Sequence, residues 1–519
     1  MPAPDNIYES DVDFTTLALQ YPDFAKRLKP NRQLDFSDPE SVRQLTKCLL
    51  HRDFDLTVDL PEDRLCPPVP NRFNYILFIQ RLLDSTSPSF HMGFDPDRQV
   101  IGLDIGTGAS AIYPLLACRQ RPQWRFLATE IDEKNREYAQ RNILANKLQA
   151  RIRLIDTDVK GDRLIPTDQL ERFDRVDILI TNPPFYPSTE SLLDSVRQKS
   201  RPPNSSCTGS AVEMITPGGE VGFVSKLVAE SRLRANKSKI QWFSAMLGKL
   251  SSVGTVVERL RESGCANYAV AEFVQGQRTR RWCVAWSWMG YRPAADVARS
   301  VGGGSGVEKK LLPTITEVEF EAESRGAGVE AVLDRIGAEI KRLDGVLWKI
   351  DHGGGVGMFM SRDGDVWSRK ARRRKKAEGE LGHGRETRPT RAADQKARER
   401  KHDADTDMKD DNGSSDSNSS DEETAPEPAL VVRISITPSP SPPRSDPPPP
   451  SRSSVDTNIP IQSRTGTVSN TATTDKIPIM RIHMRHLQGR DPVLFESFCG
   501  WLKRKMAAPL PRPLSSSSS

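Results

Sequence analysis

Asn182-Pro183-Pro184-Phe185 follows directly on the apolar run "RVDILIT", Arg175 to Thr181. Two consecutive prolines fix the backbone and remove two donors, so the carbonyls near Pro183 can face a ligand instead of a ladder. The Asn182 carboxamide and the Pro183 carbonyl can then accept both hydrogens of a planar amino group. That pushes nitrogen lone-pair density out of the ring and toward an incoming methyl, with no general base required. Phe185, and Tyr186 beside it, offer rings on which a base can stack. Taken alone, the same tripeptide is an ordinary turn.

Two further segments decide between these readings. In "DIGTGAS", Asp104 to Ser110, Gly106 and Gly108 allow a tight turn and close approach of a ligand to the backbone, ahead of a helix start with unpaired N–H groups. Ser110 replaces the third glycine of a dinucleotide fingerprint, which argues against NAD. Asp104 is placed to bind the amino group of a methionine moiety. Glu130, at the end of the next apolar run, is placed to accept from both hydroxyls of a ribose. With Asn182 to Phe185 at the expected separation, the trio resembles motifs I, II and IV of amino-group methyltransferases. That resemblance implies S-adenosyl-L-methionine as cofactor, bound by Asp104, Gly106, Gly108, Ser110, Glu130 and Asn182, with Asn182, Pro183, Pro184 and Phe185 catalytic.

Positioning these residues requires alternating strands and helices. "RQVIGLDI", "RFLATEI", "ARIRLID" and "RVDILIT" read as strands, and "AIYPLLACRQ" and "EKNREYAQRNILANKL" as helices, which implies parallel βαβ units in one sheet. "NYAVAEFVQ" and "RWCVAWSWMG" form a closing hairpin at its edge. The fold class is α/β: a Rossmann-like class I methyltransferase domain over 96–292, behind a helical N-terminal extension over 1–95. A Gly-rich linker covers 293–310. Residues 311–368 and 479–507 together make a small split α+β domain. It is interrupted by a disordered insertion at 369–478, which turns basic, acidic and then Pro/Ser-rich, with "LVVRISI" as a possible strand inside it. The alternative is a separate C-terminal interaction helix. Residues 508–519 form a disordered tail.

"LDIGTGASAIYPLL", "ATEID", "TNPPFY", "GGE" at Gly218 to Glu220, "WFSAMLGK" and "FVQGQRTRRWCVAWS" together resemble the methyltransferase-like protein 16 family and its fungal and bacterial relatives, over most of residues 5 to 290. The resemblance implies N6-methylation of adenosine in structured RNA: U6 small nuclear RNA in eukaryotes, 23S ribosomal RNA in bacterial members. It also implies a cofactor contact by Arg72 in "PNRFNYI", and an RNA-binding role for the split domain. Two rivals remain open, a protein glutamine N5-methyltransferase and a non-catalytic RNA-binding or splicing scaffold.

The net charge of +6, from 75 basic and 69 acidic side chains, excludes a polycation, so any RNA surface is local. Its candidates are Arg278, Arg280 and Arg281 in the turn "QGQRTRRW", with Lys199 and Arg201 after the Asn-Pro-Pro-Phe segment. "SRKARRRKK", Ser368 to Lys376, reads as a nuclear import signal or a further RNA contact, and the nucleus is the expected location. The seven cysteines make no CxxC pair and read as reduced thiols; no metal and no membrane contact are expected.

Overall fold

The computed structural model describes residues 6–157, 162–197, 209–275, 279–324, 328–374, 377, 427–439 and 478–507. Two sheets organise them. The larger contains β1 (Val100–Ile105), β2 (Trp124–Thr129), β3 (Ile152–Leu154), β4 (Val176–Thr181), β5 (Ile240–Leu247), β6 (Tyr268–Gln275), β7 (Thr279–Trp286) and β8 (Arg299–Ser300). Their order is β3-β2-β1-β4-β5-β7-β6-β8. Strands β1 to β5 pair in parallel, and β7 runs antiparallel to both β5 and β6.

Helices cover both faces, so the central strands are mostly apolar and every residue of β4 and β5 is buried. Ile178, Ile180, Trp242 and Met246 pack on one side with the helices Val69–Ser85 and Ile112–Gln120. Leu179, Phe243 and Ala245 pack on the other with Gly219–Ser231 and Leu250–Glu262. The N-terminal helices share the first of these cores, Leu17, Phe24, Leu49 and Leu50 joining Phe73 and Ile76, so the extension is part of the main body.

Three expectations need correction. The sequence reading leaves out β5, which is buried along its whole length, Gln241 and Ser244 included, and so lacks the alternation of a half-exposed strand. The β6–β7 hairpin is not the edge, because β8 pairs with β6 beyond it. And 293–310 is no free linker: besides β8 it holds the short helix Ala295–Ala298, and Leu311 just after it is buried in the second core.

The smaller sheet comprises β9 (Glu317–Glu323), β10 (Val346–Asp351), β11 (Val356–Ser361), β12 (Leu430–Pro438) and β13 (Ile479–Gln488), all antiparallel in the order β10-β11-β12-β13-β9. Helices Gly328–Ile340 and Pro492–Ala507 pack on one face, through Leu333, Ile336, Phe498 and Leu502 against Phe359, Ile434 and Ile482. The two C-terminal segments therefore do form one unit. Its central strand, β12, comes from within 369–478 and contains the "LVVRISI" segment read as a possible strand, so that stretch is not without structure throughout; 378–426 and 440–477 lie outside the described residues, as does the tail.

Candidate active site

The strand order reverses between β1 and β4, and in an open sheet of parallel strands that is where a crevice forms beyond the carboxyl ends. A cavity of about 590 Å³ opens there, lined by Arg72, Gly106, Gly108, Ser110, Glu130, Asn182, Pro183 and Pro184. Sequence positions far apart thus converge on one space, of a size that takes a nucleoside-sized ligand.

Asp104, in β1 just before the cavity-lining Ile105 and Gly106, is fully buried, with the Thr107 hydroxyl close by and neither carboxyl oxygen in a well-formed hydrogen bond. Burial pushes its carboxyl up to about 7, with nearby Glu130 adding to the effect. An acid held this way is completed by a cationic donor, and the ammonium of a methionine moiety supplies one. Gly106 and Gly108 adopt left-handed φ of 72° and 66°, and a Cβ at either would meet open space, so the loop gives a ligand close access to the backbone.

The N–H groups of the loop itself, ahead of the helix start, are engaged within the fold. Gly106 and Thr107 donate to the Thr129 carbonyl at 3.1 and 2.9 Å, and Gly108 donates to Glu130 Oε2 at 2.8 Å. Glu130 Oε1 also accepts from the Asp132 N–H at 3.0 Å. Its carboxylate is therefore fixed in place by backbone donors, and each oxygen keeps a further lone pair for a hydroxyl. Burial holds this carboxyl above its ordinary range. Arg72 is 6 % exposed, donates to the Tyr113 hydroxyl at 2.7 Å and sits 3.1 Å from Met246 Sδ, its Nε unpartnered.

On the acceptor side, Thr181 Oγ1 donates to the Ile105 carbonyl at 2.9 Å, tying the end of β4 to that of β1. The following loop is pinned by a two-bond bridge: Tyr186 N–H to Met214 O and Thr216 N–H to Tyr186 O, both 3.0 Å. Between these anchors, Asn182 Oδ1 is buried without a partner. Phe185 stands just beyond the cavity wall, with the Arg281 guanidinium 6.0 Å from its ring centroid. Burial holds that guanidinium below its usual range.

The neighbouring arginine goes elsewhere. Arg280 pairs with Glu272 at 2.5 Å and donates to the Gly304 carbonyl, so it braces the sheet edge rather than the acceptor side. Lys199, Arg201 and Arg278 lie outside the described residues. One contributor escapes the sequence reading. Glu220, 2 % exposed, accepts from the Gly248 and Lys249 N–H groups at 2.7 and 3.1 Å and from Ser252 Oγ at 2.5 Å. Its position in "GGE" is the only signal, and the sequence does not disclose partners nearly thirty residues on.

A buried, partnerless Asn182 oxygen after β4 and the buried Glu130 carboxylate thus share the wall of one cavity at the switch point of a Rossmann-like sheet. A family model described as "RNA methyltransferase" matches residues 3–290, and the chain belongs to that family. It is 44 % identical over 275 residues to a U6 small nuclear RNA (adenine-(43)-N(6))-methyltransferase of Schizosaccharomyces pombe, covering 53 % of this chain and 67 % of that one. It is 38 % identical over 295 residues to the RNA N(6)-adenosine-methyltransferase METTL16 of Mus musculus, covering 55 % and 51 %. The chain thus spans about two thirds of the first relative and half of the second. Among solved structures, the N-terminal domain of human METTL16 in complex with SAH is 35 % identical, with a TM-score of 0.44, covering 55 % of this chain and 98 % of that one.

Proposed function

We propose that this protein methylates the exocyclic N6 of an adenosine in structured RNA, with U6 small nuclear RNA as the first acceptor to test. The observation that carries the reading is the buried, partnerless Oδ1 of Asn182, held between two pinned strand ends beside an aromatic ring. A buried acceptor without a donor costs stability, and a substrate amine removes that cost when it docks. The names of the fission yeast and mouse relatives support the choice of adenosine and of RNA.

S-adenosylmethionine supplies an electrophilic methyl group when bound. Asp104 would hold the amino end of the cofactor and Glu130 its ribose. Asn182 and the Pro183 carbonyl accept the two amine hydrogens, and Phe185 stacks on the base. Alignment supplies most of the acceleration. Arg281, beside Phe185, with its Nη1 on the Arg280 carbonyl and Glu220 near it, suits a passing phosphate. The split-domain resemblance supports a second RNA contact on the smaller unit, whose helix-free face carries Lys349 and Arg433 beside β9 glutamates such as Glu319, itself paired with Arg481. The basic run from Ser368 supports action in the nucleus.

The test is transfer of labelled methyl to purified U6 RNA, ribosomal RNA and a glutamine-containing protein, followed by nucleoside analysis. N6-methyladenosine in the U6 transcript is the expected product. Asn182→Ala should abolish transfer while SAH affinity is largely kept, because the amine contact is lost and the cofactor retains Asp104 and Glu130. Methylation of protein alone, or an active N182A, sinks the assignment.

A further inference from the structure

We infer that Gly248 and Glu220 are positioning residues that set the Phe185 ring against the acceptor base; this rests on the site being read as an adenosine methyltransferase. Gly248 follows β5 and precedes the helix Leu250–Glu262. Its φ lies outside the left-handed region, so the backbone there does not require glycine. Space does. A Cβ on Gly248 would lie 2.9 and 3.0 Å from two carbons of the Phe185 ring and 3.2 Å from Glu220 Oε2. Contacts that short force the ring or the carboxylate to move. Phe185 therefore fills the volume that any other residue at 248 would claim.

Glu220 holds this arrangement from beneath. It caps the helix start through the Gly248 and Lys249 N–H groups and Ser252 Oγ, which fixes the Gly248 Cα beside the ring. It also sits close enough to Arg281 to stabilise that cation electrostatically. One buried carboxylate thereby couples the ring that stacks on the base to the arginine beside it. Gly219, adjacent in sequence, adds a second constraint: its φ is +60°, and a Cβ there would lie 2.9 Å from the Phe185 carbonyl. Phe185 is thus confined at its ring by 248 and at its backbone by 219.

The experiment uses the full chain with U6 transcript as acceptor, measuring kcat, RNA KM, SAH Kd and melting temperature for wild type, Gly248→Ala, Glu220→Gln, Phe185→Ala and the G248A/F185A double variant. Gly254→Ala is the control, since a Cβ there meets only an ordinary contact at 3.7 Å. Displacing the ring should lower kcat about tenfold or more, as small misplacements of reacting groups do, with SAH Kd within about twofold of wild type. G254A should match wild type. Because Gly248 acts through the ring, adding G248A to F185A should cost nothing further, whereas a merely structural role would cost the same in both backgrounds. Wild-type kcat in G248A, or full additivity in the double variant, overturns the inference. Should G248A melt early, E220Q decides: lowered kcat at unchanged SAH affinity supports the role, and wild-type kcat overturns it. A wild-type protein that methylates no RNA overturns the site reading itself, and the inference with it, before any variant is compared.

Discussion

Asp104 is a fully buried carboxyl beside a cavity, an environment its neighbours in sequence do not disclose. Its folded pKa of about 7 exceeds the ordinary 3.8, so the ligand-free fold holds this proton more tightly than the unfolded chain does between those values. Asp104's contribution to stability is therefore fully present below 3.8 and is lost as pH rises through 7. A ligand ammonium reverses the preference, since it needs the anion. SAH affinity should then weaken as pH falls below 7, by up to about tenfold per pH unit, and level off above it. Titration calorimetry in buffers of different ionisation enthalpy should show proton release near pH 6.5, and Asp104→Asn should bind weakly with a flat profile. A wild-type affinity that does not change between pH 5.5 and 8 rules the account out. At this scale the sequence was highly legible where chemistry demands fixed residue types, at Asp104, Glu130 and Asn182. It was illegible for the arginines of the turn. Arg280 and Arg281 are neighbours on a strand, so they face opposite ways, and a run of like charges does not say which one faces the substrate.

Elements were legible where polarity changes along the chain. The βαβ alternation shows clearly where a helix carries a polar face between apolar strands, as Glu133–Ala145 does, whereas β5 was missed and β12 was legible only as a possible strand, for opposite reasons. β5 is buried along its whole length and has no alternation to read. β12 is a short apolar segment inside a polar, proline-rich stretch, and composition averages it away. Its position is nonetheless central: it pairs with β11 on one side and β13 on the other, and Ile434 is fully buried against both helices of that unit. Ile434→Ala removes a core side chain and should destabilise the smaller unit by about 3 kcal/mol. The expected signature is a lower first melting transition and faster proteolysis of 311–507, with the SAH-stabilised transition of the larger sheet unmoved. A single transition that shifts as a whole would mean that the two sheets unfold together.

Across the whole molecule, the two sheets are joined by backbone carbonyls of β13 and its exit, gathered by side chains of the larger unit. Arg292, 3 % exposed, donates through Nε to Gly489 O at 2.8 Å, through Nη2 to Arg490 O at 2.5 Å and through Nη1 to Ala266 O at 3.1 Å. Burial lowers its pKa to about 10, so it stays charged at neutral pH and these bonds are charge-assisted. From the opposite side, Arg485 reaches the Ser85 carbonyl at 2.7 Å. The long insertion closes within the smaller unit and leaves this junction intact, since loop closure costs grow only logarithmically with length. An RNA touching both units gains from their fixed spacing, because the second contact forms as an intramolecular event. Arg292→Ala strands three carbonyls and should weaken the junction by about 3 kcal/mol. RNA affinity should then fall, and the slope of log affinity against log salt should become shallower as phosphate contacts on the smaller sheet are lost. SAH affinity, and kcat at saturating RNA, should not change, because no residue of the cofactor cavity belongs to the junction. Fluorescence anisotropy over a salt series separates the outcomes. An unchanged slope in R292A would place all RNA contacts on the larger unit and leave the smaller one without a part in binding.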